Sequence, residues 1–256
     1  KGHALPSAAS IVMFFSTKTG LNLFGFVAAL SLARAEVPDI RSVELDLTIP
    51  RLETGRPDAG RRVKQTIPGY EQTGVYHVTY LPVDWVQGKS YPVLIEYAGN
   101  KHHGANGDIS TGRPEGSKMG YGISGGRGFI WVCLPYLNVK GDDIALTWWG
   151  DAKNRTARPT LDYCHKAVPW ICKKYGGDPT RIVSTGASAG GYISAWIAYQ
   201  KNWEWPANAK HKPKKLNIVG WFGNSPFLPR GLISQITAGD PPGVVMYGGT
   251  REHPAT

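Results

Sequence analysis

The fold is decided by one stretch, Arg181-Ile182-Val183-Ser184-Thr185-Gly186-Ala187-Ser188-Ala189-Gly190-Gly191-Tyr192-Ile193-Ser194-Ala195-Trp196. β-Branched residues typical of a strand come first, a turn bounded by glycines follows, and small residues typical of a helix start come last. Gly186, Ser188 and Gly190 fit the G-x-S-x-G pattern, in which an exposed nucleophilic serine occupies a sharp strand-to-helix turn. Side chains two residues away on either side would clash, and glycine removes them. We therefore predict a nucleophile at Ser188, followed by a helix whose N-terminus favours developing negative charge.

A second match to the same pattern lies at residues 122–126, around Ser124. Residues 120–125 also satisfy the G-x-G-x-x-G dinucleotide-binding pattern. Both patterns require a strand, a turn and then a helix. Here a strand is predicted after the segment, and no helix is expected to begin in it. We therefore interpret the segment as a flexible loop with neither function.

Size, charge and cysteine content bound the class of protein. The chain has 256 residues, 41% of them hydrophobic, which is enough for one α/β domain with a core. Its formal net charge of +10 favours acidic partners. The densest basic cluster, residues 210–215, precedes a predicted strand, so we interpret it as a solvated loop and predict no nucleic-acid partner.

Cys133, Cys164 and Cys172 lack metal-binding spacing and are predicted to be buried free thiols.

The N-terminal residues differ in character from the rest of the chain. Lys18 precedes a short apolar run at residues 21–30, and residues 33–35 supply an Ala-x-Ala cleavage pattern. A basic flank, a short apolar core and such a site are typical of a secretory signal peptide. The run is too short for a comfortable membrane span, and the alternative is a membrane-anchoring or buried helix. We predict a signal peptide within residues 1–35, a single domain at residues 36–256, a secreted or periplasmic location, and no stable membrane span.

Outside the elbow, alternating or apolar segments predict strands, and one periodic segment predicts a helix. The helix covers residues 158–176, and Pro169 is expected to kink or split it. Residues 100–128 and 137–157 follow predicted strands and are expected to be long loops at the carboxyl edge of the sheet, beside the serine. Strands that alternate with helices favour a mostly parallel sheet. The predicted strands lie at residues 42–49, 74–81, 91–99, 129–135, 217–222 and 243–247, and residues 50–73 are predicted to be a loop.

Three segments resemble α/β-hydrolases: residues 91–97, the strand around Trp131, and residues 177–182 leading into the elbow. They are most similar to secreted esterases of the polyhydroxybutyrate-depolymerase, feruloyl-esterase and acetylxylan-esterase kind. The resemblance covers residues 74–250. It implies an α/β-hydrolase fold, with a mostly parallel central sheet and helices on both faces, a Ser-His-Asp/Glu triad, an acyl-enzyme and no cofactor. No strand is predicted after residues 243–247, so the last strand of the family can be missing.

The resemblance also implies an oxyanion hole, which needs two backbone N–H groups. Ala189, directly after the nucleophile, is expected to supply one of them. The second is expected in the loop that follows the strand at residues 91–99, from Gly99, Asn100 or Lys101. The usual His-Gly pair of the family is absent from that loop, which leaves these donors as alternatives.

The acid and the base of the triad have several candidates. The family order is serine, acid, histidine, and Glu252 follows the last predicted strand, whereas Asp240 precedes it. With Glu252 as the acid, a separate downstream histidine is lacking, because His253 is its direct neighbour and adjacent residues rarely pair in a triad. In compact hydrolases such as cutinases the acid and the histidine share a short final segment, so Asp240 and His253 can pair instead. A third alternative recruits a histidine from elsewhere, such as His102 or His103.

The two long loops are predicted to line the substrate pocket. Trp148 and Trp149 would form an aromatic surface for an acyl group or a sugar, and His102 and His103 would face the serine. Two adjacent histidines without a third ligand are usually loop residues, so no metal is predicted. The expected substrate is a small-molecule, polysaccharide or polyester ester.

Three functions are consistent with the elbow. A secreted serine esterase is the preferred hypothesis. A serine peptidase of the prolyl-oligopeptidase type shares the Gly-x-Ser-x-Gly-Gly ending, although no segment of propeller length is present. A catalytically inactive or truncated binding protein on a hydrolase scaffold is the third hypothesis, and the missing downstream histidine motivates it.

Overall fold

A computed structural model describes residues 46–104, 107–150, 153, 156–199, 216–224 and 236–246. The strands are β1 Leu52–Glu53, β2 Arg62–Gln65, β3 His77–Tyr80, β4 Tyr91–Tyr97, β5 His102–Gly104, β6 Gly107–Ser110, β7 Ile130–Leu134, β8 Tyr136–Leu137, β9 Ile144–Ala145, β10 Gly177–Ala187, β11 Ile218–Asn224 and β12 Gly243–Met246. The helices are α1 Met119–Ser124, α2 Arg158–Tyr175 and α3 Ala189–Tyr199, with a 3-10 turn at Pro114–Gly116.

Eight of the described strands form one sheet in the order β1-β2-β3-β7-β4-β10-β11-β12. All neighbours from β7 to β12 are parallel, whereas β3 runs antiparallel to both β2 and β7. Parallel strands end at the same edge of a sheet, so the carboxyl ends of β4, β10 and β11 lie side by side. Gly186 pairs with Tyr97 there, and Ala187 pairs with Asn224. The hairpins β5–β6 and β8–β9 lie outside this sheet.

Helices cover both faces of the sheet. On one face, α2 and α3 contribute Ile171 and Ile193 to a core that includes Ile95 of β4. On the other face, Tyr121 of α1 packs against a smaller cluster that includes Trp131 of β7. Strand β7, IWVCL, is apolar and buried along its whole length, as expected for a strand covered on both faces. The predicted α/β architecture, a mostly parallel sheet with helices on both faces, is confirmed.

Residues 119–124, expected to lie in a flexible loop, form helix α1. The helix begins where Glu96, buried in β4, accepts hydrogen bonds from the N–H groups of residues 118–120 at 2.7–3.1 Å. Trp131 Nε1 donates to the same carboxylate at 2.8 Å. Burial raises the pKa of Glu96, and these donors offset part of that effect by stabilising the charged form. The expectation that no helix begins here is wrong, because α1 depends on a carboxylate distant in sequence.

Other local predictions also differ from the structure. Residues 46–49 of the first predicted strand are not in a strand, and β1 and β2 occupy a predicted loop. The strand β2 is held by pairing with β3 and by buried Arg62, whose Nη2 donates to Glu115 O at 2.8 Å. The β5–β6 hairpin lies within the predicted loop at residues 100–128, and all of the β8–β9 hairpin except Tyr136 lies within the one at residues 137–157. Helix α2 runs from Arg158 to Tyr175 with Pro169 inside it, so the helix is not split there.

The cysteines are buried and free, as predicted. Burial raises the pKa of Cys164 to about 12, so its thiol stays protonated and unreactive at neutral pH. None of the described helices combines the length and the apolar character that a bilayer span requires. The predicted signal peptide, residues 1–35, lies outside the described residues.

Candidate active site

Ser188 occupies the turn between β10 and α3. Its φ is +52°, and within the described residues it is the only one besides glycines with a positive φ. Such strain costs about 1–3 kcal/mol and persists only where the surroundings hold it. The Ser188 N–H donates to Asn224 O at 2.7 Å, and the Tyr192 N–H donates to Ser188 O at 3.2 Å. The residue is exposed, so the turn presents the serine to solvent at the carboxyl edge of the sheet.

The two glycines of the elbow allow close main-chain contacts. A Cβ on Gly190 would overlap Tyr97 O and would lie 2.8 Å from Ala98 O. A Cβ on Gly186 would lie 2.7 Å from Tyr97 O. Helix α3 therefore meets the end of β4 backbone against backbone, and only glycine permits this approach. The predicted strand, turn and helix are confirmed.

The predicted sources of oxyanion donors border the same turn. Ala189 is the first residue of α3, so its N–H has no acceptor within the helix. Gly99 follows β4, and a Cβ built on it would lie 3.4 Å from Ala187 O. Ser110 Oγ donates to Gly99 O at 2.7 Å and thereby fixes the loop. Main-chain groups of two different segments thus lie next to the serine, as an oxyanion hole requires.

An aromatic cluster extends from the nucleophile along α3. We name Trp148, Trp149, Tyr192 and Trp196, all half-buried, the aromatic wall. The ring centroid of Trp148 lies 4.8 Å from that of Tyr192 and 6.1 Å from that of Trp196. Trp149 lies 5.6 Å from Trp148. Asn100 Oδ1 accepts the Trp148 N–H at 2.8 Å, so the predicted oxyanion loop contacts the wall directly. Burial raises the pKa of Tyr192, so its phenol stays neutral.

Four histidines lie among the described residues. His102 and His103 are exposed on β5, directly after the predicted oxyanion loop. His77 is buried, and its Nδ1 lies 2.8 Å from the Tyr163 hydroxyl. Burial lowers the pKa of His77 to about 3, which keeps it neutral. His165 is a buried core residue of α2. Within the described residues none of these imidazoles hydrogen-bonds to the nucleophile.

Asp240 lies at the opposite edge of the sheet from Ser188. It precedes β12, and β12 runs parallel to β11, which runs parallel to β10. The residue before such a strand lies at the amino edge, whereas the elbow lies at the carboxyl edge. Its carboxylate accepts hydrogen bonds from the N–H and the hydroxyl of Thr237 at 2.7 and 2.9 Å. The structure does not bring Asp240 to the nucleophile, which argues against pairing it with His253 as a triad.

The other acid and base candidates, Glu252 and His253, lie outside the described residues and stay predictions. Among the residues that the structure describes, no group of three or more His, Cys, Asp or Glu side chains could hold a metal ion.

Two comparisons with known proteins bear on this site. The prolyl oligopeptidase family matches residues 124–215, a segment that contains the entire elbow. The structure is similar to that of Thermogutta terrifontis esterase 2 phosphorylated by paraoxon, with a TM-score of 0.52 and 17% identity, over 74% of this chain and 71% of that chain. The chain has the α/β-hydrolase fold.

A propionate-bound structure of the thermophilic esterase Est2 from the same planctomycete is also similar to this α/β-hydrolase fold. It has a TM-score of 0.47 and 18% identity, over 71% of this chain and 70% of that chain. No curated protein matches the chain. The resemblance to α/β-hydrolases drawn from the sequence is confirmed.

Sequence reasoning missed two parts of this candidate site. Tyr192 and Trp196 follow Ser188 at intervals of four residues, a spacing that places side chains on one face of a helix. This spacing is the signal by which Tyr192 and Trp196 could have been predicted to join Trp148 and Trp149 in the aromatic surface. Ser110, which holds Gly99, has no comparable signal, because it reaches the loop only through the β5–β6 hairpin.

Proposed function

We propose that the chain is a carboxylic-ester hydrolase that uses Ser188 as its nucleophile and forms an acyl-enzyme. The observation that carries this proposal is the left-handed backbone of Ser188, with φ +52°, in an exposed turn beside the close-packed glycines. Strained non-glycine residues cluster at active sites, where the surrounding structure holds them in place. The fold shared with an esterase supports the same reaction class.

The reaction has two displacement steps. Ser188 Oγ attacks the carbonyl carbon, a general base takes the hydroxyl proton, and the carbonyl electron pair moves to oxygen. The N–H of Ala189, with that of Gly99 or Asn100, stabilises the oxyanion. The carbon–oxygen bond to the alcohol then breaks, and the alcohol leaves with the proton held by the base. Water cleaves the acyl-enzyme through the same steps and regenerates the serine.

The general base has two candidate assignments. His253 with Glu252 is one assignment, and His102 or His103 is the other, supported by the position of β5 directly after the predicted oxyanion loop. Alanine variants of the three histidines distinguish the assignments, because loss of the base lowers kcat by about 10⁴-fold or more. Wild-type turnover in all three variants would contradict a histidine base at these positions.

The proposed substrate is a small-molecule, polysaccharide or polyester ester whose acyl group or sugar contacts the aromatic wall. Half-buried indole and phenol rings offer flat apolar surfaces, which favour aromatic or extended groups. Turnover of benzoyl and feruloyl esters should therefore exceed that of branched aliphatic esters of similar size. The reverse preference would contradict an aromatic binding surface.

We also propose that the protein is secreted or periplasmic and that residues 1–35 are removed. The basic flank, apolar run and Ala-x-Ala pattern support this. N-terminal sequencing of the chain recovered from the medium or periplasm should begin near Glu36. Recovery only from the cytoplasm, with residues 1–35 retained, would contradict it.

Covalent labelling tests the nucleophile. Thermogutta terrifontis esterase 2 is phosphorylated by paraoxon, which makes this compound a suitable probe. Paraoxon should add one diethyl phosphoryl group to the wild type, detectable by mass spectrometry on the peptide that contains Ser188. Ser188→Ala should remain unlabelled, and Ser124→Ala is the matched control that should label like the wild type. Labelling that persists in Ser188→Ala would exclude the proposed nucleophile.

A peptidase is the second candidate, because the prolyl oligopeptidase family matches the segment that carries the elbow. Both reactions use the same nucleophile, so labelling does not separate them. Rates on short acyl nitrophenyl esters and on aminoacyl nitroanilides do, and robust amide turnover would favour the peptidase. A wild type that turns over neither substrate and resists paraoxon would favour an inactive binding protein.

A further inference from the structure

Two loops that are distant in sequence are hydrogen-bonded to each other beside the elbow. The Lys101 N–H donates to Leu146 O at 2.7 Å, and the Trp148 N–H donates to Asn100 Oδ1 at 2.8 Å. The main chain at Gly112 also contacts this region, because a Cβ there would overlap the Leu146 carbonyl. Residues 146–148 are therefore held on one side by the loop after β4 and on the other by the main chain at Gly112. Of the three contacts, only the one from Asn100 is made by a side chain.

Trp148 and Asn100 are both connected to the nucleophile through helix α3. Trp148 contacts Tyr192 at 4.8 Å between centroids, and the Tyr192 N–H donates to Ser188 O at 3.2 Å. Asn100 follows the end of β4, against which α3 is packed at Gly190. The hydrogen bond from Trp148 to Asn100 thus joins the predicted oxyanion loop to the aromatic wall.

We infer that Asn100 is a positioning residue that sets acyl-group specificity by holding Trp148, an inference that rests on the proposed esterase function. The partner of Asn100 is a main-chain N–H, which can only donate, so the amide is oriented with Oδ1 toward Trp148. Removal of this acceptor releases Trp148 from the loop but leaves the backbone N–H of residue 100 in place. The loss should therefore be larger for esters whose acyl group reaches the wall than for acetyl esters.

The ratio of kcat/KM for nitrophenyl benzoate to that for nitrophenyl acetate measures this specificity. Asn100→Leu removes the acceptor at similar volume and should lower the ratio about tenfold, the effect of roughly one hydrogen bond, chiefly through KM for the benzoate. Asn100→Asp keeps an acceptor oxygen and should retain the ratio, even where its charge lowers kcat for both esters. Asn100→Ala repeats the test if the leucine variant does not fold.

A matched control uses another asparagine that accepts main-chain hydrogen bonds in a loop. Asn138 Oδ1 accepts the Gly141 N–H at 2.8 Å. Asn138→Leu should leave the ratio unchanged. A similar drop in this variant would show that any loosened loop alters the ratio, and would overturn the specific role of Asn100.

A double-mutant cycle tests whether Asn100 acts through Trp148. Trp148→Ala alone should lower the ratio at least as much as Asn100→Leu does. The double variant should show no loss beyond that of Trp148→Ala, because Asn100 then has no indole ring left to position. Losses that add would mean that Asn100 acts by another route, and an unchanged ratio in Asn100→Leu or Asn100→Ala would overturn the inference.

Near-ultraviolet circular dichroism separates this inference from the esterase proposal, because the spectrum of the packed rings does not depend on turnover. Asn100→Leu and Trp148→Ala should both lose the signal of the aromatic wall, and Asn100→Asp should keep it. A wild type that hydrolyses no ester, with these spectral changes present, would contradict the esterase function while supporting the hold on Trp148. An unchanged spectrum in Asn100→Leu would overturn the positioning role itself.

Discussion

Two serines in this chain satisfy the same five-residue pattern, and their surroundings differ. Ser188 follows an 11-residue strand and precedes an 11-residue helix, whereas Ser124 ends a six-residue helix. Ser188 itself has a positive φ, but near Ser124 the positive φ values belong to Gly125 and Gly126, at +57° and +73°. Ser124 Oγ accepts the Gly126 N–H at 3.2 Å and donates to Tyr121 O at 3.4 Å. One pattern thus forms an exposed turn in one place and a helix end in the other.

The glycines that flank the two serines explain this difference. At the elbow, a Cβ on Gly190 would overlap the carbonyl oxygen of Tyr97. In α1, a Cβ on Gly122 would meet no atom within 4 Å. Glycine is therefore required by a tertiary contact at Gly190 and by no such contact at Gly122. What distinguishes a nucleophile turn from a chance match is the element that its glycines touch.

The largest expected difference between the two sites is in catalysis. Ser188→Ala should lower kcat/KM on short-chain nitrophenyl esters by about 10⁴-fold or more, because the acyl-enzyme can no longer form. Ser124→Ala should stay within about twofold of the wild type, since its hydroxyl contacts only local main chain. Initial rates of variants with wild-type far-ultraviolet spectra measure both. Equal losses in the two variants would remove the distinction between the sites.

Alanine substitution of the two flanking glycines should change the free energy of unfolding in opposite directions. Gly190→Ala forces a methyl group into the end of β4 and should lower the free energy of unfolding by about 3 kcal/mol or more. Gly122→Ala places the same methyl group in open space within a helix and should raise that free energy by about 0.4–1 kcal/mol. Urea denaturation gives both values. A Gly190→Ala variant as stable as the wild type would contradict the backbone contact between α3 and β4.

The carboxylate beneath α1 offers a further test that is specific to the Ser124 region. Glu96→Gln replaces one acceptor oxygen by an NH₂ group that faces N–H donors, which should lower the free energy of unfolding by about 2–4 kcal/mol. Glu53→Gln is the matched control. Glu53 is exposed and paired with Arg61, so its loss should cost at most about 1 kcal/mol.

Limited proteolysis shows where the effect of Glu96→Gln is located. The variant should be cut faster near α1, while paraoxon labelling of Ser188 persists in the intact fraction. Cleavage at the elbow before α1 would contradict the role of Glu96 as the anchor of this helix.

The elbow was predictable from sequence because its signal is local. The β-branched residues before Gly186 and the small residues after Ser188 specify strand, turn and helix within 16 residues, and the structure has all three. The apolar central strands were predictable for the same reason. Helix α1 was not, because its glycine-rich sequence has low helix propensity and it begins at a carboxylate more than 20 residues away.

The parts of the site that depend on contacts between loops could be predicted only by residue type. The sequence predicts Trp148 beside the nucleophile. Its partners Tyr192 and Asn100 lie on helix α3 and in the loop after β4, and the packing of the sheet brings both into contact with Trp148. Asp240 was an acceptable acid by residue type alone. The parallel register of β11 and β12 places it at the other edge, which illustrates that a triad is a property of topology as well as of composition.

The main-chain contact between Gly190 and the end of β4 has a thermodynamic consequence. Because the nucleophile turn and the strand that leads into the oxyanion loop touch without intervening side chains, their relative alignment is set when the sheet folds. Little reorganisation is then left for the substrate to drive, and the entropy of aligning these groups is lost during folding. Heating should therefore abolish activity and unfold the sheet in one transition, with no inactive state that keeps a native core.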